Sequence, residues 1–346
     1  MSKSAFEILN DRAQACVAAT PVIILGSGAS IAAGIPGMGP LRDHLLALPD
    51  PTGFSDGELE PWHTFREALS KDANLEAVLH AVNLPDALDD LIVEATWEFL
   101  QPHDVKAFDE MLSSKSTYPL TQLFQHLLRS TNKEIDVVTP NYDRIAEYSA
   151  DMGELYHETG FSYGHMRRRM GDVRQSVNLG DNQVDRVNIW KVHGSFEWFK
   201  DEQGIIRALP ISHSKPDGWK PSIVTPGMQK YRRTYDEPFV SIKAASDKAL
   251  SHAPAFFCSG FGFNDEHIQT KLKERCRSKQ VPLVLITMEI TPAAKGFFEG
   301  DFCKEYLAIE HADEGCRIYC PEFPNGEVVT ESDYWQLESF LTLIIS

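Results

Sequence analysis

The stretch Val22-Ile-Ile-Leu-Gly-Ser-Gly-Ala-Ser30 decides the fold class. Its four apolar residues, Val22 to Leu25, are typical of a short strand buried on both faces of a parallel sheet. A glycine-rich turn begins at Gly26 and leads into a predicted helix. Strand, glycine turn and helix in this order open a nucleotide-binding α/β sheet. The sequence therefore predicts a Rossmann-like, mostly parallel sheet flanked by helices.

Three further apolar strands are predicted to end in polar or glycine-rich residues. They are Ile135–Thr139 before Pro-Asn-Tyr-Asp143, Val187–Val192 before His193-Gly-Ser195, and Ala255–Ser259 before Gly-Phe-Gly-Phe-Asn-Asp265. The carboxyl ends of parallel strands lie along one edge of a sheet, where ligands bind. Four loops that are far apart in the chain are thus expected to meet at one crevice.

Composition and charge exclude several classes of function. Of the 346 residues, 42% are hydrophobic and 24% are charged, which is ordinary for a globular protein. With 33 basic and 50 acidic residues the formal charge is −17. This balance disfavours direct binding of nucleic acid, because phosphate contacts need a clustered cationic surface.

The location of the protein is inferred from the first part of the chain and from the cysteines. The uncharged stretch from Val17 to Leu41 could span a bilayer by length, but its glycines and prolines rule out one continuous apolar helix. Glu7, Asp11 and Arg12 stand where a secretion signal would be basic and then apolar. The six cysteines include no C-x-x-C pair, so we expect reduced thiols, no metal and a cytoplasmic protein without membrane contact.

Residues 50–115 have helical periodicity and no convincing strand. They include 15 acidic and 4 basic residues, so they account for most of the negative charge. We predict a helical insertion over residues 50–130 within a single domain that spans residues 1–346. Its acidic face is either a solvated surface or a docking surface for a basic partner.

The turn Gly26-Ser27-Gly28-Ala29-Ser30, with Gly34 beyond it, is a candidate phosphate site. Glycines let backbone N–H groups approach a pyrophosphate, and a helix N-terminus supplies partial positive charge. The spacing is G-x-G-x5-G, whereas dehydrogenases have G-x-G-x-x-G, and Asp43 is poorly placed to hold a ribose. The turn thus predicts a phosphate ligand and argues against hydride transfer; the alternative is a tight turn without a ligand.

The other loops offer reactive groups. Asn141 can accept and donate hydrogen bonds, which suits ribose hydroxyls or a positioned water, although it or Asp143 could merely cap the next helix. His193 is a natural general base near neutral pH, with a glycine beside it that is expected to leave room for a substrate; the alternative is a structural histidine. The turn from Gly260 to Asp265 suits a nucleotide ribose or phosphate, and Asn264 or Asp265 is expected to cap the following helix.

As a set, these loops resemble the sirtuin superfamily. The matching segments are Gly26–Ser30 with Gly34-Ile35-Pro36 for the GAG-x-S…GIP loop, Thr139–Asp143 for TQN-x-D, His193-Gly-Ser195 for HGS, and Gly260-Phe-Gly262 for the later glycine turn. Sirtuin deacylases carry a zinc module with two C-x-x-C pairs before that turn, and this interval contains no cysteine before Cys258. Gly37-Met-Gly-Pro-Leu41 also replaces the usual phenylalanine and arginine after GIP. The pattern is similar to the sirtuin-like domains of bacterial anti-phage defence systems.

This resemblance implies an NAD glycohydrolase that cleaves the nicotinamide–ribose bond and depletes NAD in infected bacteria. It implies that Asn141 and His193 are catalytic and that Asp143 orients the nicotinamide side. The other residues expected to bind NAD are Gly26, Ser27, Gly28, Ser30, Gly34, Ile35, Pro36, Ser195, Gly260, Gly262 and Asn264. No metal is required for this reaction.

Two other functions are possible for this chain, and an NAD hydrolase would need to be regulated. The chain could be a sirtuin-like ADP-ribosyl or deacyl transferase, or a catalytically silent subunit that senses NAD or ADP-ribose. A toxic NAD hydrolase must be restrained, so we expect a homo-oligomer or a regulatory protein partner. By resemblance, the partner would be a HerA-like ATPase, an Argonaute-type protein or another defence subunit.

Overall fold

The computed structural model describes residues 3–71, 75–113, 118–129, 132–171, 178–180, 182–210, 214–225, 236–300 and 302–345. In this part of the chain the strands are β1 (Val22–Leu25), β2 (Glu134–Thr139), β3 (Tyr156–Glu158), β4 (Arg167–Arg168), β5 (Asn178–Leu179), β6 (Asn182–Gln183), β7 (Arg186–Lys191), β8 (Gly194–Lys200), β9 (Ile206–Ala208), β10 (Lys220–Ile223), β11 (Phe256–Ser259), β12 (Leu283–Ile286), β13 (Tyr306–His311), β14 (Cys316–Cys320) and β15 (Phe323–Val329).

The helices described in the same ranges are α1 (Ala5–Ala18), α2 (Gly28–Ile31), α3 (Met38–Ala47), α4 (Asp56–Lys71), α5 (Leu75–Ala81), α6 (Asp86–Ser113), α7 (Pro119–Leu128), α8 (Ile145–Met152), α9 (Phe239–His252), α10 (Glu266–Lys279), α11 (Pro292–Glu299) and α12 (Leu337–Ile344).

A large sheet with the strand order β15-β14-β13-β12-β11-β1-β2-β7-β3 organises the described residues. In this spatial order, each strand from β13 across to β3 is parallel to its neighbours. At the other edge, β14 is antiparallel to β13, and β15 is antiparallel to β14. The predicted mostly parallel α/β fold is confirmed. Strand β2 lies on one side of β1, and β11, which comes much later in the chain, lies on the other side. This reversal of strand order is the point where open α/β sheets bind ligands.

The short apolar strands are buried because helices cover both faces of the sheet. In β1, Ile23 and Leu25 face one hydrophobic cluster and Val22 and Ile24 face the other. Helices α1, α7, α8 and α12 pack in the first cluster, and helices α9, α10 and α11 pack in the second. A strand with both faces covered needs apolar residues at every position, which is the pattern of Val22–Leu25.

Helices α4, α5, α6 and α7 follow one another between β1 and β2, and the described residues there contain no strand. Helices α3 to α6 share a third hydrophobic cluster with Phe196 and Phe199 of β8. The predicted division into one domain with an insertion over residues 50–130 stays a prediction.

A second, smaller sheet was not predicted. It has the order β10-β8-β9-β4, and its strand β8 begins directly after His193. In β8, all residues from Gly194 to Phe199 are buried, because β8 lies between the main body of the molecule and helices α3 to α6. Polar Ser195 and Glu197 alternate with apolar Phe196 and Trp198, but all four are buried, so the alternation does not mark a solvent-facing side. The expected loop at His193-Gly-Ser195 is the start of this strand.

The fold depends on a crossing of two loops at which no side chain fits. A Cβ atom on Gly260 would lie 2.2 Å from the backbone nitrogen of Ala29, and Gly260 has a φ of +57°. We therefore expect Gly260→Ala to lower the free energy of unfolding by about 3 kcal/mol or more. The measurement is urea denaturation followed by circular dichroism.

Gly57 provides the matched control for this substitution. It lies in α4 with nothing within 4 Å of a built Cβ, so Gly57→Ala should leave stability unchanged or raise it by up to about 1 kcal/mol. Equal stability of the two variants would contradict the steric account of the crossing.

Candidate functional site

A pocket lies at the carboxyl ends of β1, β2 and β11, and loops after these strands form much of its wall. It is lined by Gly26, Ser27, Ile35, Pro36, Gly37, Met38, Leu41, Leu100, Pro140, Asn141, Tyr142, Asp143, His193, Phe196, Phe261, Gly262, Asn264 and Asp265. Residues from all four predicted strand-end loops are among them. The structure therefore brings together the segments that the sequence predicted to converge.

The glycines of the first loop serve chiefly to let two backbones touch. The backbone N–H of Gly28 donates to the carbonyl of Gly260 at 3.1 Å. A Cβ atom on Gly26 would lie 2.2 Å from that same carbonyl oxygen. Helix α2 after the turn has only four residues, so few peptide dipoles add up at its N-terminus. The structure thus gives the glycines a packing reason in addition to the predicted contact with a phosphate.

The side chain of Asn141 is held in one orientation. Its Nδ2 donates to the carbonyl of Gly26 at 2.9 Å and to Oγ of Ser30 at 3.2 Å. Because a carbonyl oxygen can only accept, the amide nitrogen must point towards Gly26. The remaining polar atom of the side chain is Oδ1, an acceptor of hydrogen bonds. Asn141 is thus suited to accept a hydrogen bond from a hydroxyl or a water in the pocket.

Asp143 belongs to the same network but is mostly buried. Its Oδ1 accepts from the backbone N–H of Ile145 at 3.2 Å, and Ser30 hydrogen-bonds its carboxylate. Burial raises the pKa of Asp143, while the nearby ammonium of Lys191 acts in the opposite direction. Asp143 therefore bonds the first N–H of α8 from the position before the N-cap residue Arg144, and it lines the pocket as well.

His193 is paired with an acidic residue that faces the same pocket. The distance between His193 Nε2 and Asp265 Oδ2 is 2.6 Å, and both side chains are mostly buried. The other oxygen of Asp265, Oδ1, accepts from the backbone N–H of Ile268 at 2.9 Å and so caps α10. The helix cap fixes the carboxylate, and the carboxylate in turn holds the imidazole.

Backbone hydrogen bonds join the Asn141 and His193 segments. The N–H of Phe196 donates to the carbonyl of Tyr142 at 3.0 Å, and the N–H of Val192 donates to the carbonyl of Thr139 at 3.1 Å. The two candidate catalytic residues are thus carried by neighbouring, directly connected pieces of backbone.

Gly194 does not leave the room for a substrate that the sequence suggested. With a φ of +94°, it would place a Cβ atom 2.5 Å from the carbonyl oxygen of Ser222. The space beside Gly194 is filled by β10, which pairs with β8. Close contact between two strands is the physical reason for glycine at this position.

Some predicted binding residues do not line the pocket. They are Gly28, Ser30, Gly34, Ser195 and Gly260. Ser30 still contacts the site through Asn141, and Gly28 and Gly260 form the loop crossing. Ser195 is fully buried on β8. The predicted roles of these residues in NAD binding stay predictions.

Sequence reasoning missed the apolar wall of the pocket and the partner of His193. Met38 and Leu41 of α3 and Leu100 of α6 face the pocket together with Phe196 of β8. Nothing in their spacing indicates a site, because they come from helices whose packing depends on the tertiary fold. Asp265 had a local signal, its place after a glycine turn, but that signal predicted only a helix cap.

The described residues offer neither a metal-binding cluster nor a membrane-spanning helix. No group of three or more His, Cys, Asp or Glu side chains is placed to hold a metal ion there. None of the helices described combines the length and the apolar character needed to cross a bilayer.

Comparisons with known proteins identify a domain that contains much of this site. Residues 136–292 match the family model of the SIR2-like domain. The matched segment includes Asn141, His193 and Asp265. This match confirms the resemblance of this part of the chain to the sirtuin superfamily.

Solved structures of Sir2 proteins are similar to the chain at low identity. A Sir2 enzyme is 13% identical over 87% of this chain and 91% of its own, with a TM-score of 0.43. A Sir2 homologue in complex with NAD is 13% identical over 89% of both chains, with a TM-score of 0.41. A Sir2 protein bound to a propionylated peptide is 14% identical over 82% of this chain and 85% of its own, with a TM-score of 0.40. No curated protein matches the chain.

The pair formed by His193 and Asp265 has an internal comparison in the same chain. His267 and Asp247 also lie 2.6 Å apart, but their side chains are 22% and 32% exposed, against 11% and 5% for the first pair. A double-mutant cycle with His→Ala and Asp→Asn should give a coupling free energy of about 1–3 kcal/mol for the buried pair and less than about 1 kcal/mol for the other. Urea denaturation of all variants measures both values.

Asparagine at position 265 can still cap α10, so the cycle isolates the contact with the imidazole. Equal coupling in the two pairs would show that burial does not strengthen the contact between His193 and Asp265.

Proposed function

We propose that the chain is an NAD glycohydrolase that produces nicotinamide and ADP-ribose. The observation that carries this proposal is the meeting of Asn141 and His193 in one pocket with the two glycine loops. The SIR2-like domain over residues 136–292 supports an NAD-dependent enzyme of the sirtuin type. The absence of a C-x-x-C pair from the sequence favours hydrolysis over the deacylation that zinc-containing sirtuins perform.

The proposed reaction breaks the bond between the nicotinamide nitrogen and C1′ of the ribose. The electron pair of this bond leaves with nicotinamide, which becomes neutral, and positive charge develops on the ribose as in glycoside cleavage. A water molecule adds to C1′ and loses one proton. The site must therefore hold the ribose, admit one water and accept that proton.

Asn141 would orient the ribose or the attacking water. Both hydrogens of its amide are engaged by Gly26 and Ser30, so Oδ1 is fixed as an acceptor before any substrate arrives. An acceptor held in place requires no reorganisation during the reaction, which is how a positioned polar group contributes to rate.

His193 would act as the base towards the water or a ribose hydroxyl, and Asp265 would stabilise the imidazolium that results. The buried carboxylate lies 2.6 Å from Nε2, so the positive charge would form beside a fixed negative group. Asp265 also lines the pocket, where its charge favours the positive character that develops on the ribose.

Replacing either catalytic candidate should slow the reaction strongly. We expect Asn141→Ala and His193→Ala each to lower kcat for NAD cleavage by about 100-fold or more, since each removes a positioned group from the transition state. Chromatography of nicotinamide and ADP-ribose measures the reaction. His267→Ala is the control, because His267 also pairs with an aspartate but lies outside the pocket lining.

The products and the variants distinguish the three candidate functions. Full activity of both variants would remove the proposed mechanism. Transfer of ADP-ribose or an acyl group when acylated peptides are supplied would favour a transferase. Binding of NAD without turnover under every partner condition would favour a silent sensor subunit.

We propose further that the activity serves anti-phage defence and is restrained by assembly with copies of itself or with a partner. The support is the resemblance to sirtuin-like defence domains and the toxicity of losing NAD. Size-exclusion chromatography and NAD turnover of the purified chain, alone and with proteins encoded beside it, measure the restraint. A monomer that is fully active alone would contradict it.

A further inference from the structure

Helix α6 contacts both segments that carry the candidate catalytic residues. Trp97, Leu100 and Asp104 lie at positions i, i+3 and i+7 of this helix, so they share one face. Leu100 lines the pocket. Nε1 of Trp97 donates to the carbonyl of Phe196 at 3.0 Å, three residues after His193. Asp104 contacts the segment that follows Asn141.

The carboxylate of Asp104 is fully buried and accepts four hydrogen bonds. Oδ1 accepts from the backbone N–H of Arg144 at 2.7 Å, and Oδ2 accepts from Nε and Nη2 of that residue at 2.8 and 2.5 Å. Oδ2 also accepts from the hydroxyl of Tyr148 at 2.8 Å. Burial, together with this carboxylate, raises the pKa of Tyr148 far above its ordinary value, so its hydroxyl stays protonated and keeps donating.

Side chains bond several backbone groups of the connection between β2 and α8. The backbone N–H of Asn141 donates to Oγ1 of Thr139 at 3.0 Å, and Nζ of Lys191 donates to the carbonyl of Asp143. Asp104 supplies the acceptor for the backbone N–H of Arg144. The segment that carries Asn141 thus depends on buried polar groups around it, and α6 contributes Asp104 to them.

We propose that Asp104 is a positioning residue, which fixes the Asn141–Asp143 segment from helix α6 and so sets the rate of the reaction without touching the substrate. This inference rests on the proposed NAD cleavage. The side chain of Asp104 does not line the pocket, and its role is to keep the short segment between β2 and α8 in one conformation.

The test compares Asp104→Asn with Glu110→Gln on the same helix. Glu110 is exposed and pairs with Lys106 at 3.5 Å, so its variant loses the same charge without disturbing the buried network. We expect Asp104→Asn to lower kcat for NAD about 10-fold or more while KM changes by less than about 3-fold. Glu110→Gln should match the wild-type chain. An Asp104→Asn protein with unchanged kcat overturns the proposal.

A double variant separates positioning from a general loss of stability. If Asp104 acts through Asn141, Asp104→Asn combined with Asn141→Ala should be no slower than Asn141→Ala alone. Multiplied effects would show that Asp104 does not act through Asn141. Should Asp104→Asn fail to fold, Tyr148→Phe removes a single donor to the same carboxylate and should lower kcat about 2- to 3-fold. An unchanged kcat in that folded variant overturns the proposal.

Hydrogen exchange gives a readout that does not need turnover. The backbone N–H of Arg144 should exchange at least about 10-fold faster in Asp104→Asn than in Glu110→Gln, because its acceptor is weakened. If exchange is faster in Asp104→Asn but the wild-type chain cleaves no NAD, the positioning role is retained and the proposed function is removed. Equal exchange in the two variants would remove the positioning role alone.

Discussion

The close contact between the loop after β1 and the loop after β11 is the constraint on which the site depends. Gly26 and Gly28 lie against Gly260 with no room for a side chain on any of them. This contact sets the distance between the first glycine turn and the segment that ends in Asp265. Because Asn141 is bonded to the carbonyl of Gly26 and His193 is bonded to Asp265, both reactive groups are placed relative to the same crossing.

Buried polar groups are concentrated behind the pocket, where their burial would be costly without partners. Lys191 is almost wholly buried and bonds Glu147 at 3.0 Å as well as the carbonyl of Asp143. Arg144 and Asp104 form a second buried pair. Such pairs contribute little net stability compared with apolar packing, but they fix directions that apolar contacts leave free. The free-energy cost of burying these charged pairs is explained if they fix the orientation of Asn141.

Local patterns were sufficient for the strands that are buried on both faces. The apolar runs at Val22, Ile135, Val187 and Ala255 predicted parallel strands, and β1, β2, β7 and β11 lie side by side in that sense. The helix cap at Asp265 was also predicted from its place in the chain. The same local reasoning missed β8, because Gly194 and Ser195 resemble a polar loop after β7 and both faces of the strand are buried.

The polar loop of each strand, and its place at one edge of the sheet, follow from the sequence by itself. Chain direction alone places the carboxyl ends of parallel strands together. Only the tertiary structure decided which groups face one another: that His193 meets Asp265 across 72 positions of sequence, and that Leu100 of a distant helix forms part of the wall. These contacts depend on how helices pack over the sheet. Such packing is determined by the shapes of many side chains together, so no short motif records it.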